Sequence, residues 1–181
     1  MLFSCSPNLM DLIKAYEKAY NEHDLEGVMS LYAEDVRFEA IGSFVKAGKE
    51  EVRKLTEYDF AVNVQMDISN IKVVGDTIIF RLTESNDWFR LAGIDELVYE
   101  PNKVVFKDGL IKEIRSEITK ESAMDFGKVW KDLKGWAKEE KVEELSELMP
   151  DGVFIYNKNT AKKWLELLKE WSELKKKRVN F

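Results

Sequence analysis

The chain has 181 residues, 45% of them hydrophobic and 34% charged, a globular composition far from disordered, collagen-like or disulfide-scaffold sequences. Its 28 basic and 34 acidic residues leave a net charge of −6, which argues against a sequence-independent grip on nucleic acid. One Cys (Cys5) and one His (His23) exclude an intrachain disulfide and a His/Cys zinc site.

Ser6-Pro7-Asn8 reads as a helix start, with Ser6 as N-cap and Pro7 in the first turn. Leu9, Leu12, Ile13, Tyr16 and Tyr20 follow at helical spacing. Asn21-Glu22-His23-Asp24 breaks this helix, and Asp24 caps a short second one carrying Leu25, Val28, Met29, Leu31 and Tyr32. Residues 34–46 read as extended and interrupted at Gly42, and Gly48 opens a third helix through Val52 and Leu55 to about Tyr58. The period then changes. Val64, Met66 and Ile68 alternate with polar residues, Ile71 and Val73 continue in the opposite phase, and a bulge near Asn70 is expected. Gly75-Asp76 turns the chain into a strand from Thr77 to about Asn86, and Lys107-Asp108-Gly109 joins 103–107 to 110–118 as a hairpin. The class is α+β, an antiparallel meander with helices on one face of a bent sheet.

From Ser122 on, the period is helical again: Phe126, Val129, Trp130, Leu133, Trp136 and Ala137 form one stripe, and Val142, Leu145, Leu148 and Met149 a shorter one. Pro150-Asp151-Gly152 is a turn, 153–156 a short extended piece, and Trp164, Leu167, Leu168, Trp171 and Leu174 line a last helix. Residues 1–119 therefore read as the main domain and 120–181 as a helical extension packed on it. Residues 158–178 hold eight Lys/Arg against three Glu, so a basic last helix docking on an acidic body is expected. Lys175 to Arg178 read as cations at a helix C-terminus.

The stretch Tyr16-Glu17-Lys18-Ala19-Tyr20-Asn21-Glu22-His23-Asp24-Leu25-Glu26-Gly27, with Leu31-Tyr32-Ala33-Glu34-Asp35-Val36-Arg37-Phe38 and Gly48-Lys49-Glu50-Glu51-Val52, resembles the N-terminal half of the nuclear transport factor 2-like superfamily. That superfamily includes polyketide-cyclase-like and steroid-isomerase-like branches. Gly75-Asp76 and Phe106-Lys107-Asp108-Gly109-Leu110-Ile111 are similar to its C-terminal half, so the resemblance covers roughly residues 8–118. It implies a cystatin-like cone: a strongly curved antiparallel sheet wrapped around the N-terminal helices, with an apolar pocket at its mouth. Such small domains are often homodimers through the sheet face. A tryptophan stripe left uncovered on the last helix would add a surface for a second copy.

The steroid-isomerase branch uses a Tyr and a protonated Asp as oxyanion donors and a second Asp as base. The resemblance places Tyr16 at the donor Tyr, Ala40 at the base and Asn102 at the protonated Asp. One donor is kept, one is an amide that can still donate, and the base is gone, which argues against steroid-type isomerisation. If Ile78, Phe80 and Leu82 face the pocket, alternation brings Glu84 and Asn86 there beside Trp88, where desolvation would raise the Glu84 pKa; the opposite phase exposes Glu84 at the rim, the ordinary place for a carboxylate. Glu39 is out of phase with Phe38 and Ala40. Ser116 shares a face with Ile114 and Ile118 and adds a hydroxyl to the pocket.

Tyr16 and Tyr20 also fit plain core packing, and His23, between Glu22 and Asp24, fits a surface loop. Asp95, Glu96 and Glu100 lack calcium-loop spacing, and no phosphate loop, nucleophile elbow or metal-ligand helix motif is present. No cofactor and no metal are expected. The expected partner is a small hydrophobic ligand, with no nucleic acid and no transmembrane segment. Two functions remain. One is a cone that binds a small apolar molecule, its candidate contacts Tyr16, Tyr20, Phe38, Trp88, Asn102, Ile114 and Ser116. The other is a polyketide-cyclase-like, isomerase or lyase enzyme in which Tyr16 stabilises an enolate-like oxygen and Glu84 moves the proton. The chain reads as cytoplasmic, except that Leu2-Phe3-Ser4-Cys5 is similar to the end of a bacterial lipoprotein signal, which would anchor a longer precursor at Cys5.

Overall fold

Asn8, rather than Ser6, caps the first helix: its side chain accepts from the Met10 amide at 3.0 Å, and α1 runs Leu9–Asn21. The computed structural model describes residues 8–179, so Cys5, Ser6 and Pro7 lie outside the described residues. At the expected break His23 takes a positive φ of 55°, and the Asp24 carboxylate accepts from the Gly27 amide to start α2 (Leu25–Ser30). This helix is shorter than its apolar spacing predicts. Tyr32 instead begins strand β1 (Tyr32–Ala40), where an extended backbone turns its ring inward against Tyr16 at 6.0 Å.

Next come β2 (Phe44–Ala47), α3 (Lys49–Ala61), β3 (Gln65–Val74), β4 (Thr77–Ser85), α4 (Asp87–Ala92), β5 (Leu97–Lys107) and β6 (Leu110–Ile118). They form one six-stranded sheet in the order β2-β1-β6-β5-β4-β3. The hairpin-linked strands pair antiparallel as expected, whereas β1 and β6, which no hairpin joins, meet in parallel. Two of the sheet's register irregularities shape the site. One is the expected slip in β3, where Asn70 adopts φ 53°. The other lies in β5 and was not expected. Glu100 and Pro101 are inserted between Tyr99 and Asn102, which shifts the inward phase from Leu97 and Tyr99 to Asn102, Val104 and Phe106. Proline has no N–H to give a ladder, so a bulge is where a strand tolerates it. α4 was missed as well: Asn86 ends the strand and accepts from the Phe89 amide at 2.8 Å, capping a helix that brings Trp88 and Phe89 into the core.

Strand β3 lies at a sheet edge, and α1 covers its inner half. The Asn21 side chain accepts from the Met66 N–H at 2.7 Å and donates to the Met66 carbonyl at 2.8 Å, while Glu17 accepts from the Ile68 N–H at 2.7 Å. Asn21→Ala leaves both Met66 groups unpaired and is expected to lower the unfolding free energy by about 1–3 kcal/mol, read by urea denaturation.

Beyond the sheet, α5 (Lys120–Glu140), α6 (Val142–Leu148), a 3-10 turn (Pro150–Gly152) and α7 (Lys158–Val179) complete the chain. Trp164, Leu167, Leu168 and Trp171 are buried, and α7 packs on α3 and α4. The tryptophan stripe is therefore covered by its own chain and offers no surface to a second copy. Val142 and Leu174, read as stripe members, are exposed at 58% and 39%. The cations of α7 do not dock on the acidic cone as expected. Lys163 pairs with Glu147 and Lys175 with Asp132, inside the extension, because the side of α7 that meets the cone is apolar; the Arg178 side chain lies outside the described ones. Among the described residues no helix is long and apolar enough to cross a membrane.

Candidate functional site

The concave face of the sheet, helices α1, α3, α4 and α5, and the segment before α7 line a cavity of about 370 Å³. Its wall holds each residue singled out from the sequence: Tyr16 and Tyr20 of α1, Phe38 of β1, Glu84 of β4, Trp88 of α4, Asn102 of β5, and Ile114 and Ser116 of β6. Ala40 also lines it, a methyl group where the resemblance implies a base.

Glu84 takes the inward phase, on the face of Phe80 and Leu82, rather than the exposed one. The Asn86 amide donates to its Oε1 at 2.9 Å, so Asn86 both caps α4 and holds the carboxylate in place. Burial lifts the Glu84 carboxyl to about 7, and the Asn86 hydrogen bond pulls in the other direction. Asn86→Ala removes a bond that favours the charged form, so the Glu84 midpoint is expected to rise above about 7, as read by carboxyl ¹³C NMR. An unmoved midpoint would contradict the assignment.

A second carboxylate escaped the sequence reading. Asp59 lies one turn beyond Leu55 and two beyond Val52, on the buried face of α3, and lines the cavity. The apolar spacing read from the sequence ends the helix at about Tyr58, although Val52, Leu55, Asp59 and Val62 carry the signal for a longer one. The Tyr20 hydroxyl donates to Asp59 Oδ2. Burial, then the charge of Glu84, holds the Asp59 carboxyl well above the usual range, against the pull of Tyr20. The Glu84 charge favours the protonated form of Asp59.

Tyr32, read as part of a helix, completes a phenol pair: its hydroxyl donates to the Tyr16 oxygen at 3.1 Å. Burial raises both phenols, so both stay protonated, and Tyr16, already accepting from Tyr32, has its own proton free to donate. On the opposite wall Asn102 Nδ2 donates to Ser116 Oγ at 2.9 Å.

Phe154 and Tyr156, which sequence reading placed only in a short extended piece, also line the cavity. Both rings meet Tyr58 edge-on, at 5.7 Å and 5.2 Å, and Tyr156 lies 4.7 Å from Phe44. Outside the cavity, His23 sits in the expected loop but is half-buried, its Nε2 3.0 Å from the Val64 carbonyl and its ring 4.8 Å from Phe60. Glu39 faces away, paired with Arg37 at 2.5 Å and Arg115 at 3.3 Å, and Arg37 holds its carboxyl below the usual range. Among the described residues no cluster of three or more His, Cys, Asp or Glu is placed to hold a metal.

A family model described as a SnoaL-like domain matches residues 13–114. No functionally curated protein matches the chain. Among solved structures, the chain is similar to a ketosteroid isomerase-like protein of Kribbella flavida at 19% identity, with a TM-score of 0.52, covering 61% of this chain and 76% of that one. It is similar to SalBIII, an epoxide hydrolase/cyclase-like enzyme of pyran ring formation in the polyether salinomycin, at 14% identity and TM-score 0.56, covering 62% and 92%. An epoxide hydrolase of M. tuberculosis described as LEH-like matches at 15% identity and TM-score 0.55, covering 71% and 93%. Likeness at these identities shows the fold alone: mixed α+β with a curved, unclosed sheet.

Proposed function

The chain belongs to the SnoaL-like domain family, and we propose that its cavity binds a small, mostly apolar molecule and moves a proton on it. One observation carries this reading: Glu84, a carboxyl lifted to about 7, lines an otherwise largely apolar cavity. The base missing at Ala40 is replaced from another strand. Glu84 takes the proton, Tyr16, backed by Tyr32, donates to the oxygen on which charge develops, and Asp59 is the acid that returns a proton. The reaction class is that of isomerases, lyases and cyclases acting on small hydrophobic substrates, and it calls on no cofactor.

The probe is 5-nitrobenzisoxazole, whose opening needs only a base in an apolar surrounding. The base takes the C3 proton, a nitrile forms, the N–O bond breaks and its electron pair ends on an absorbing phenolate. The protein is expected to accelerate this opening with Glu84 intact and not in Glu84→Gln. Equal rates in the two proteins would refute the reading.

Residues 120–181 are read as an extension of the 1–119 domain, supported by the single apolar core that Trp164 and Trp171 share with Tyr16 and Phe80. A homodimer is also proposed, through the outer sheet face now that the tryptophan stripe is covered. Sedimentation showing only monomer at high concentration would remove it.

A further inference from the structure

We propose, on the basis of that reading, that the apolar molecule taken by the cavity carries a positive charge, an ammonium group held between the aromatic rings and the carboxylates of Glu84 and Asp59. Twelve of the side chains in the wall are aromatic, two are carboxyls, and none is a lysine, arginine or histidine. Buried charges are ordinarily paired. Here neither carboxyl is offset by a cation of the chain: burial acts on Glu84 against one amide hydrogen bond from Asn86, and burial with the Glu84 charge acts on Asp59 against one hydroxyl from Tyr20.

Both carboxyls are within reach of a molecule in the cavity. Asn86 engages Oε1 of Glu84 and Tyr20 engages Oδ2 of Asp59, while Glu84 Oε2 and Asp59 Oδ1 have no hydrogen-bond partner among the described residues. Of the described residues, the fully buried side-chain atoms left unpaired are Asn102 Oδ1 and Trp164 Nε1, so Oε2 and Oδ1 keep accessible surface. Both side chains are half-buried although their carboxyls are desolvated, and the surface they keep therefore faces the cavity they line.

The rings supply the second half of the site. Their faces carry the negative part of the quadrupole and attract a cation, which is how aromatic cages hold quaternary ammonium groups. The Tyr156 ring already attracts one: Lys46 Nζ lies 5.4 Å from its centroid and 4.0 Å from Glu51, and Lys46 itself is not part of the wall. Facing the two carboxyls from other elements are Tyr16 and Tyr20 of α1, Tyr58 of α3, Tyr99 of β5 and Tyr156, and burial keeps all five phenols protonated. The charge of the cavity therefore changes near neutral pH through its carboxyls. A cation gains as Glu84 ionises at about 7, and an uncharged molecule of the same shape does not.

Binding of phenyltrimethylammonium and tert-butylbenzene, which share a shape and differ by a positive nitrogen in place of a carbon, tests this by calorimetry. The wild type is expected to bind the ammonium roughly ten-fold tighter or more at pH 8 and to lose most of that preference at pH 5. In Glu84→Gln/Asp59→Asn, which keeps the shape of both side chains and removes both charges, the preference is expected to fall as far at pH 8. Uncharged 2-methoxynaphthalene reports whether the variant keeps its cavity; where it does not bind, the two pH values in the wild type decide alone. Equal binding of the two compounds by the wild type at pH 8, a preference unchanged between the two pH values, or one that survives in the double variant overturns the inference. 5-Nitrobenzisoxazole is uncharged, so its opening reports on Glu84 as a base separately. No ammonium preference with ring opening intact refutes this inference alone, and a preference without Glu84-dependent opening refutes only the proton-transfer reading.

Discussion

Glu84→Gln lowers the rate of base-catalysed opening of 5-nitrobenzisoxazole by about 10²–10⁴-fold, the contribution of a well-placed general base, with little change in the affinity for 2-methoxynaphthalene. The same substitution stabilises the protein at neutral and alkaline pH. The Glu84 carboxyl is raised from 4.5 to about 7 on folding, so between those values the folded state holds a proton that the unfolded chain has released. Stability is therefore unaffected by this group below about pH 4.5, falls as the pH rises, and has lost its full share above about pH 7. At 1.36 kcal/mol per unit that share is about 3 kcal/mol. Glutamine has no proton to lose. The variant should match the wild type near pH 4 and exceed it near pH 8, by urea unfolding at both values. Parallel pH dependence in the two proteins would show that Glu84 is solvated.

Trp164→Ala is expected to cost about 3–5 kcal/mol, the usual range for truncating a buried aromatic residue. Trp164 is fully buried, stacked on Phe154 with ring centroids 5.1 Å apart and planes 2° apart, and 5.6 Å from Trp130. Phe154 in turn lines the cavity and meets Tyr58, so the loss should also weaken 2-methoxynaphthalene binding. Trp164→Phe keeps part of the stack and should lose less on both measures. If Trp164→Ala unfolded at the wild-type urea concentration, the extension would not be supporting the site.

What could be read in the sequence depended on periodicity. The inward face of β4 follows simple alternation, which puts Glu84 with Phe80 and Leu82 once one phase is chosen, but alternation alone does not choose the phase. Asp59 has the equivalent signal on α3, but a carboxylate on an apolar stripe looks like the end of a helix rather than part of its buried face. Tyr32 defeated the same reasoning from the other side. Val28, Met29 and Tyr32 have helical spacing, yet α2 ends at Ser30 with Leu31 as its cap, and the chain is extended from Tyr32, whose ring packs against Tyr16. Asn102 was placed at the site by resemblance to a family. Its bond to Ser116 was beyond that resemblance, because it joins residues of two different strands. Phe154 and Tyr156 lie in a segment without periodicity, and they reach the cavity only because α7 folds back over α3 and α4.

The central claim is that the cavity contains a carboxyl ready to accept a proton near neutral pH. A ¹³C titration of the side-chain carboxyls in the wild type and Glu84→Gln tests it directly. The account predicts one glutamate resonance with a midpoint of about 7 that disappears in the variant. It is contradicted if all glutamates of the wild type titrate in the ordinary range near 4.3.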